Sequence, residues 1–480
     1  MIEYFQQMYV TLGIGLKWVI IFYTVVLFVI YFNRVVIAAI TNLAYKKNQT
    51  SIDEQVASLA RSPLAVGISI IAPAYNESAT IVENIRSLLM VKYPQYELIV
   101  VNDGSKDDSL EKAINAYDLM EVEVQPFHQL RAKEVISIYK SRNPSFSRLI
   151  LVNKVNGGKS DALNAGINYA QYPLVACMDV DSIFTKNALL KLALPFMTDP
   201  KVIASGSAIR IANSSKVEFG HLRKVHLPKG FWERFQVLEY LRAFLLGRMS
   251  LSKINGLPLV SGASGLFKKS LVVNVGGYDH ATVGEDMELI MSMRRYCYEH
   301  QIEHRIQYIP DPVCWTEAPH DPVSLKRQRN RWTRGSIEAL LKHKKMIFNP
   351  KYGILGMYSL PYWLLYEIAL PIYIFFGTIF LGIGLAVGFV DTNSFLLLYL
   401  FGYVFSLFVT LSAILIEELT YRQYSKVSEV ITLMVLALFE SFVYQPISLY
   451  WSLTGIFDKL TNKKVGWGTI SRAGFNKAAA

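Results

Sequence analysis

The run Met178-Asp179-Val180-Asp181-Ser182 ends a short apolar stretch in two carboxylates spaced i and i+2. Along extended chain that spacing turns both acids to the same side, where hard oxygen ligands suit Mg2+ or Mn2+ bridging a diphosphate. Packing gives a strand otherwise so apolar no reason to end this way. Two further runs end in acids, Ala72-Pro73-Ala74-Tyr75-Asn76-Glu77 and Val101-Asn102-Asp103-Gly104-Ser105-Lys106-Asp107-Asp108. Ionised carboxylates only accept hydrogen bonds, which suits a nucleobase N–H and ribose hydroxyls; Asp103-Gly104-Ser105 also reads as a turn and helix cap. In Asn156-Gly157-Gly158-Lys159-Ser160-Asp161 the glycines permit close backbone approach, and Lys159 at a helix start suits an anion. It is no Walker A loop, because the upstream glycine is missing. Gly284-Glu285-Asp286 opens a helical pattern, where acids serve as a general base or as ordinary first-turn charges. Finally, the run from Lys326 to Gly335 sets four arginines around Trp332, either a diphosphate clamp with a stacking platform or a basic juxtamembrane anchor.

The elements that must position these residues follow from apolar patterning. Of 480 residues 52% are hydrophobic and only 18% charged, with a net charge of +11, which excludes a disordered chain and a nucleic-acid-binding tail and points to membrane. The three cysteines, Cys177, Cys297 and Cys314, lack both metal-ligand spacing and disulfide density. Residues 18–32 carry no charge, and Arg34, Lys46 and Lys47 follow, so 1–47 reads as an uncleaved anchor with its C-terminal side cytoplasmic. Between 48 and 345 the apolar runs 66–72, 97–101, 148–152 and 174–178 alternate with amphipathic stretches, the pattern of an α/β fold with a mainly parallel sheet. Ligands in such sheets sit beyond the carboxyl ends of the strands. Residues 364–390 and 395–416 read as a membrane hairpin with an outer turn at 391–394. The stretch 430–457 is interrupted by Glu440 and Pro446 and is read as spanning, with a polar cavity to line, or as re-entrant. Lys459, Lys463, Lys464 and Arg472 favour a cytoplasmic tail and hence the re-entrant form.

In this order the segments resemble family-2 glycosyltransferases, specifically the membrane-integrated processive branch that includes cellulose, chitin and hyaluronan synthases. The resemblance is close over 65–335 and looser elsewhere. Asp103 matches the family's first acid, Asp179 and Asp181 its Asp-x-Asp pair, Asp286 the acid of Thr-Glu-Asp, and Gln328, Arg331 and Trp332 its Gln-x-x-Arg-Trp signature. Lys159 matches a Gly-Lys segment, Ser261 to Gly265 resemble a small-residue loop near the acceptor, and Gly466-Trp467-Gly468-Thr469 looks like an element that folds back to the active site. One departure is plain: Gly284 stands where the family carries Thr.

The resemblance implies a GT-A type, Rossmann-like cytoplasmic domain over 48–345, interfacial and transmembrane helices forming a channel over 346–457, and a cytoplasmic tail over 458–480. It further implies an inverting transfer from a UDP-sugar to a growing polysaccharide at the bacterial cytoplasmic membrane, with lipid but no nucleic acid as partner. Asp286 would be the base, and Asp181 with Asp179 would hold Mg2+ or Mn2+. Ala74, Tyr75, Glu77, Asp103, Lys159, Asp179, Gln328 and Arg331 would contact UDP. Trp332, Glu285, Ser264 and Gly265 would contact the acceptor, and Trp467 and Thr469 would gate the site. The Leu360-Pro361-Tyr362-Trp363 run, with Tyr444-Gln445-Pro446 and Trp451, looks like bacterial glucan-synthase relatives, so UDP-glucose and a β-glucan, β-1,4 or mixed-linkage, are the first expectation. The alternatives are a UDP-N-acetylglucosamine polymerase and a transferase adding one sugar to a lipid carrier.

Overall fold

The computed structural model describes residues 2–463 except 129, 180–181, 219–220, 387 and 389–390. The chain begins with helix α1 (Ile2–Lys47). The strands that follow are β1 (Ile68–Ala74), β2 (Tyr96–Asn102), β3 (Leu119–Glu121), β4 (Val135–Ser141), β5 (Leu149–Lys154), β6 (Leu174–Cys177), β7 (Ile183–Phe184), β8 (Val202–Ile211), the hairpin β9 (Lys216–Glu218) and β10 (His221–Lys224), β11 (Gly265–Lys268) and β12 (Arg305–Thr316). Between and after them run α2 (Lys159–Asn168), α3 (Phe231–Leu241), α4 (Glu285–Glu299) and α5 (Pro322–Lys342). Three long apolar helices close the described chain: α6 (Leu355–Ala386), α7 (Thr392–Thr420) and α8 (Val427–Leu460).

The sheet has ten strands in the order β3-β4-β5-β2-β1-β6-β11-β8-β12-β7. Its centre is parallel: β1 pairs with β2 and β6, and β2 with β5. Every residue of β2 is buried, as expected of a strand covered on both faces. Yet β11 runs antiparallel to both β6 and β8, β4 to β5 and β7 to β12. The sheet is therefore mixed, not mainly parallel. An apolar run of four residues carries no mark of its direction; the connection that delivers it decides, and β11 arrives after the long excursion through α3. The central register sets Ala74 beside Asn102, and Asn102 beside Asn153. The residues next in line thus emerge together along one sheet edge.

Among the described residues four helices, α1, α6, α7 and α8, are long and apolar enough to cross a membrane. α1 and α7 pack side by side in the same direction: the Phe28 ring lies 5.0 Å from that of Phe405, and Phe32 lies 6.2 Å from Phe408. The re-entrant form expected for 430–457 is absent, because α8 continues unbroken through Pro446. A proline removes one backbone hydrogen bond, a loss that flanking packing tolerates. Nor does Glu440 line an open polar path. It is 1% exposed and receives both terminal nitrogens of Arg242, at 2.6 and 2.7 Å, together with the Thr410 hydroxyl. Arg210 and Glu417 form a second buried pair, joining β8 to the end of α7 at 2.8 Å. Removing one partner of such a pair costs roughly 3–5 kcal/mol, because the other charge stays buried alone.

Candidate active site

The end of β2 and the loop after β5 are tied together by one carboxylate. Asp103 Oδ1 accepts from Lys154 Nζ at 2.8 Å and Gly157 N at 2.9 Å, while Oδ2 accepts from Gly158 N at 2.7 Å and Asn156 Nδ2 at 3.2 Å. A carboxylate offers about four acceptor positions, and here all four are taken from within the chain. Asp103 is 4% exposed, and these contacts make it a brace of the Asn156-Gly157-Gly158 loop. Lys154, missed from sequence, is wholly buried and pairs also with Asp161 at 2.5 Å. Its signal was a lysine ending an apolar strand opposite an acid. Gly157 is required because a Cβ there would lie 2.3 Å from the Asp161 carboxyl carbon.

That loop delivers Lys159 to the first turn of α2. Its Nζ lies 2.5 Å from Asp179 Oδ1 and 3.5 Å from Glu285 Oε1. Burial alone would favour the neutral amine, but Asp179 and Glu285 outweigh it and hold Lys159 above the usual lysine value. Burial pushes the Glu285 carboxyl above its usual range; Lys159 opposes the rise, Asp286 adds to it, and Arg331 opposes it. Asp286 is half-buried; its Oδ2 accepts from Gly262 N at 3.2 Å and its Oδ1 from Met287 N at 2.8 Å. A Cβ on Gly262 would sit 3.2 Å from Lys159 Nζ and 3.8 Å from Glu285 Oε1. Lys159, Asp179, Glu285 and Asp286 therefore converge on one cleft, with the charge of Arg331 reaching it from α5.

Helix α5 starts at a capped turn, Asp321 accepting from Ser324 N at 2.8 Å, and carries Gln328, Arg331 and Trp332. Gln328 accepts from Arg329, and the Arg329 guanidinium lies 4.2 Å from the centre of the Trp332 ring. Trp332 remains 41% exposed, so a ring face is available for stacking. Glu338, also missed from sequence, accepts from the Thr282 hydroxyl at 3.1 Å and Val283 N at 3.0 Å, which anchors the loop before Glu285 to α5.

Other expected positions fall elsewhere. Ser264 is fully buried and its hydroxyl is bonded to that of Ser207 at 2.7 Å, while Gly265 is buried in β11. Both turn inward, Ser264 in the bend before β11 and Gly265 within it, and Gly262 faces the cleft instead. Ala74 is buried at the end of β1, whereas Tyr75 is 43% exposed at the rim. Glu77 accepts from the Thr80 hydroxyl at 3.0 Å, and its backbone N–H donates to Ser109. Asp181, Trp467 and Thr469 lie outside the described residues. Among the described residues no group of three metal-ligating side chains occurs. Asp179, one third exposed at its strand end, is a hard oxygen donor open to the cleft and fits as one ligand of Mg2+ or Mn2+.

A mixed α/β sheet of this kind, with acids at its strand ends and apolar helices flanking it, defines a GT-A-like glycosyltransferase fold. The family model described as Glycosyl transferase family 2 matches residues 69–269, and that described as Glycosyl transferase family group 2 matches residues 174–439, more than half of the chain. The chain belongs to the family-2 glycosyltransferases, in the membrane-integrated branch. Poly-beta-1,6-N-acetyl-D-glucosamine synthase of Staphylococcus epidermidis is 31% identical over 276 residues, covering 58% of this chain and 56% of that protein. The Staphylococcus aureus synthase of the same name is 32% identical over 279 residues, with the same shares. The chain thus spans just over half the length of the curated relatives it matches. Among solved structures, the mannosyltransferase PcManGT of Pyrobaculum calidifontis, in complex with GDP-Man and Mn2+, aligns with a TM-score of 0.48 at 16% identity over 90% of this chain and 100% of that one. At that score the likeness informs neither substrate nor metal.

Proposed function

We propose that this chain is an inverting, processive β-glycosyltransferase that polymerises UDP-N-acetylglucosamine at the cytoplasmic face of a bacterial membrane. The observation that carries the reading is the convergence of Lys159, Asp179, Glu285 and Asp286 on one cleft beside the helix of Arg331 and Trp332. The curated relatives, both named as poly-N-acetylglucosamine synthases, favour the N-acetylglucosamine alternative over the UDP-glucose and β-glucan expected first. Donor identity depends on pocket shape, which the shared motifs do not encode.

In the mechanism, Asp286 takes the proton of an acceptor hydroxyl, whose oxygen attacks the anomeric carbon from the face opposite UDP. Inversion follows from that geometry. The departing diphosphate carries the developing charge, and Lys159 and Arg331 are the cations placed to stabilise it. Glu285, buried beside the base, faces Lys159 Nζ at 3.5 Å, so that its charge is offset within the cleft. A divalent ion held by Asp179, with Asp181, would supply further charge neutralisation to the diphosphate. Trp332 offers its ring to the acceptor sugar. The seam between α1 and α6 is packed with polar aromatic side chains. Tyr31 and Tyr362 hydroxyls meet there at 3.0 Å, Arg34 lies 4.5 Å from the centre of the Tyr362 ring, and Tyr23 packs on Tyr366 and Tyr373.

The test is UDP release by the purified, detergent-solubilised protein with Mg2+ or Mn2+, across UDP-N-acetylglucosamine, UDP-glucose and UDP-glucuronate, with the product sized and digested. A long polymer from UDP-N-acetylglucosamine alone, degraded by a β-hexosaminidase, is the expected result. A β-glucanase-sensitive polymer from UDP-glucose would restore the glucan reading, and a single sugar on lipid would replace processive synthesis.

A further inference from the structure

Beyond α3 the chain winds on through Arg242–Arg248 as a π-helical turn, whose wider spacing re-aims the side chains that follow. The side chain at its end is Arg248. Its guanidinium lies 4.1 Å from the centre of the Phe244 ring, which in turn lies 5.4 Å from that of Tyr240. Stacking on a ring face holds a guanidinium in place without taking up its N–H groups. Among the described residues Arg248 Nη1 is buried and has no hydrogen-bond partner. The same is true of the Tyr308 hydroxyl, on β12, whose side chain is 2% exposed. Buried polar atoms are nearly always paired, so two open ones facing each other call for a ligand.

Both stand beside the reacting groups. Burial lowers the Arg248 guanidinium from its ordinary value, and Tyr308, Asp286 and Tyr240, in that order, oppose the fall. Asp286 is the proposed base, so the open donor and the open hydroxyl border the place where an acceptor is deprotonated. On the other side Tyr240 follows Glu239, which receives Arg329 at 2.6 Å, and Arg329 stacks on Trp332. The turn itself is held firmly. Arg34 of α1 donates to the Gly247 carbonyl at 2.9 Å and to the Ser250 hydroxyl at 3.2 Å, while Ser252 accepts from Tyr308 N at 3.0 Å. These bonds fix the backbone around Arg248 and Tyr308 and leave Nη1 and the phenol open.

A guanidinium only donates, whereas a phenol both donates and accepts. One neutral group offers the matching pair: a secondary amide, whose carbonyl oxygen takes the Arg248 N–H and whose own N–H goes to the Tyr308 oxygen. A sugar carboxylate would accept from both but bring a second negative charge against Asp286. The Phe244 and Tyr240 rings supply an apolar wall for the methyl group of an acetamide.

We propose that Arg248 and Tyr308 form an acceptor subsite that reads the 2-acetamido group of the terminal sugar. The inference rests on the N-acetylglucosamine reading above and deepens it, placing selectivity on the acceptor as well as on the donor.

The test uses the full-length protein in detergent, loaded with UDP and Mg2+, and two trisaccharides with the linkage of the product, one of N-acetylglucosamine and one of glucose. Binding is read by calorimetry. The wild type should hold the acetylated trisaccharide roughly 10–100-fold more tightly, the range of a hydrogen bond from a charged donor. Arg248→Met removes that preference and leaves UDP affinity as it was, and Arg248→Lys, which keeps a charged donor, restores part of it. Tyr308→Phe, which removes only an unpartnered hydroxyl and so leaves the fold intact, lowers the preference by roughly 2–10-fold. In turnover both variants raise the acceptor KM more than they lower kcat. Equal binding of the two trisaccharides by the wild type overturns the subsite, as does an equal loss of both in Arg248→Met and Tyr308→Phe. UDP release across the donors judges the donor reading separately. A protein that polymerises UDP-N-acetylglucosamine and binds both trisaccharides equally loses the subsite alone, whereas one that polymerises only UDP-glucose loses the donor reading and the subsite with it.

Discussion

Gly284 and Gly335 meet backbone to backbone: a Cβ on Gly335 would lie 2.6 Å from the Gly284 Cα, and one on Gly284 would lie 2.7 Å from the Gly335 Cα. This contact joins the start of α4, which carries Glu285 and Asp286, to α5 just beyond Trp332. It also accounts for the glycine at 284 where the family carries Thr. With no hydroxyl there, Thr282 takes up the capping, accepting from Gly284 N at 3.1 Å while donating to Glu338.

Gly335→Ala and Gly284→Thr should each force the two helices apart. Overpacking of this kind costs roughly 1–3 kcal/mol, so the thermal midpoint in detergent falls and kcat drops about ten-fold or more, while UDP affinity changes little. Wild-type turnover in Gly284→Thr would show that the contact does not set the base.

Asp286→Asn keeps the shape of the side chain and removes the base. Sugar transfer should fall by roughly 10²–10⁴-fold, with UDP binding, measured by calorimetry, unchanged. Loss of UDP binding as well would remove Asp286 from the role of base.

Asp103→Asn separates a scaffold from a nucleoside contact. The amide leaves buried Lys154 with Asp161 as its remaining carboxylate and turns a donor toward the N–H groups of the 156–158 loop. A stability loss on the order of 3–5 kcal/mol is expected, read as a lowered thermal midpoint without any ligand. A variant with unaltered stability and weakened UDP binding would return Asp103 to the uridine.

His304 supplies a pH test away from the cleft. Burial, aided by the Arg294 charge, holds its imidazole down to about 4. The unfolded chain, with a pKa of about 6.5, takes up a proton that the folded chain refuses. This contribution to stability is therefore complete above about pH 6.5, is lost as pH falls from there to about 4, and is constant below, with a size of at most about 3 kcal/mol. His304→Gln should remove that part of the acid sensitivity. The difference between wild-type and variant melting midpoints, followed from pH 7.5 to 4, checks it, and parallel curves would exclude His304 as a source.

Much of this protein was legible in one dimension. Apolar runs closed by acids marked the strand ends, and Asp179, Glu285, Asp286, Arg331 and Trp332 were found because their chemistry is unusual for the apolar or helical segments around them. The long apolar helices α1, α6 and α7 were equally plain, since crossing a bilayer is a demand on composition and length, whereas 430–457 stood between a spanning and a re-entrant form. What the sequence could not state is which group each of these meets. Glu440 looked like a lining residue until folding brought Arg242, 198 residues away, against it. Asp103 was read as a ligand for uridine, and folding closes four donors of the chain on it; Ser264 was read as an acceptor contact, and folding bonds its hydroxyl to that of Ser207. Gly284 looked like a loss until Gly335 was found against its Cα. Residue type and spacing decide local conformation and the chemistry on offer. Burial, partnership and side of the membrane depend on contacts between segments far apart in the chain, and only the packed tertiary structure makes those.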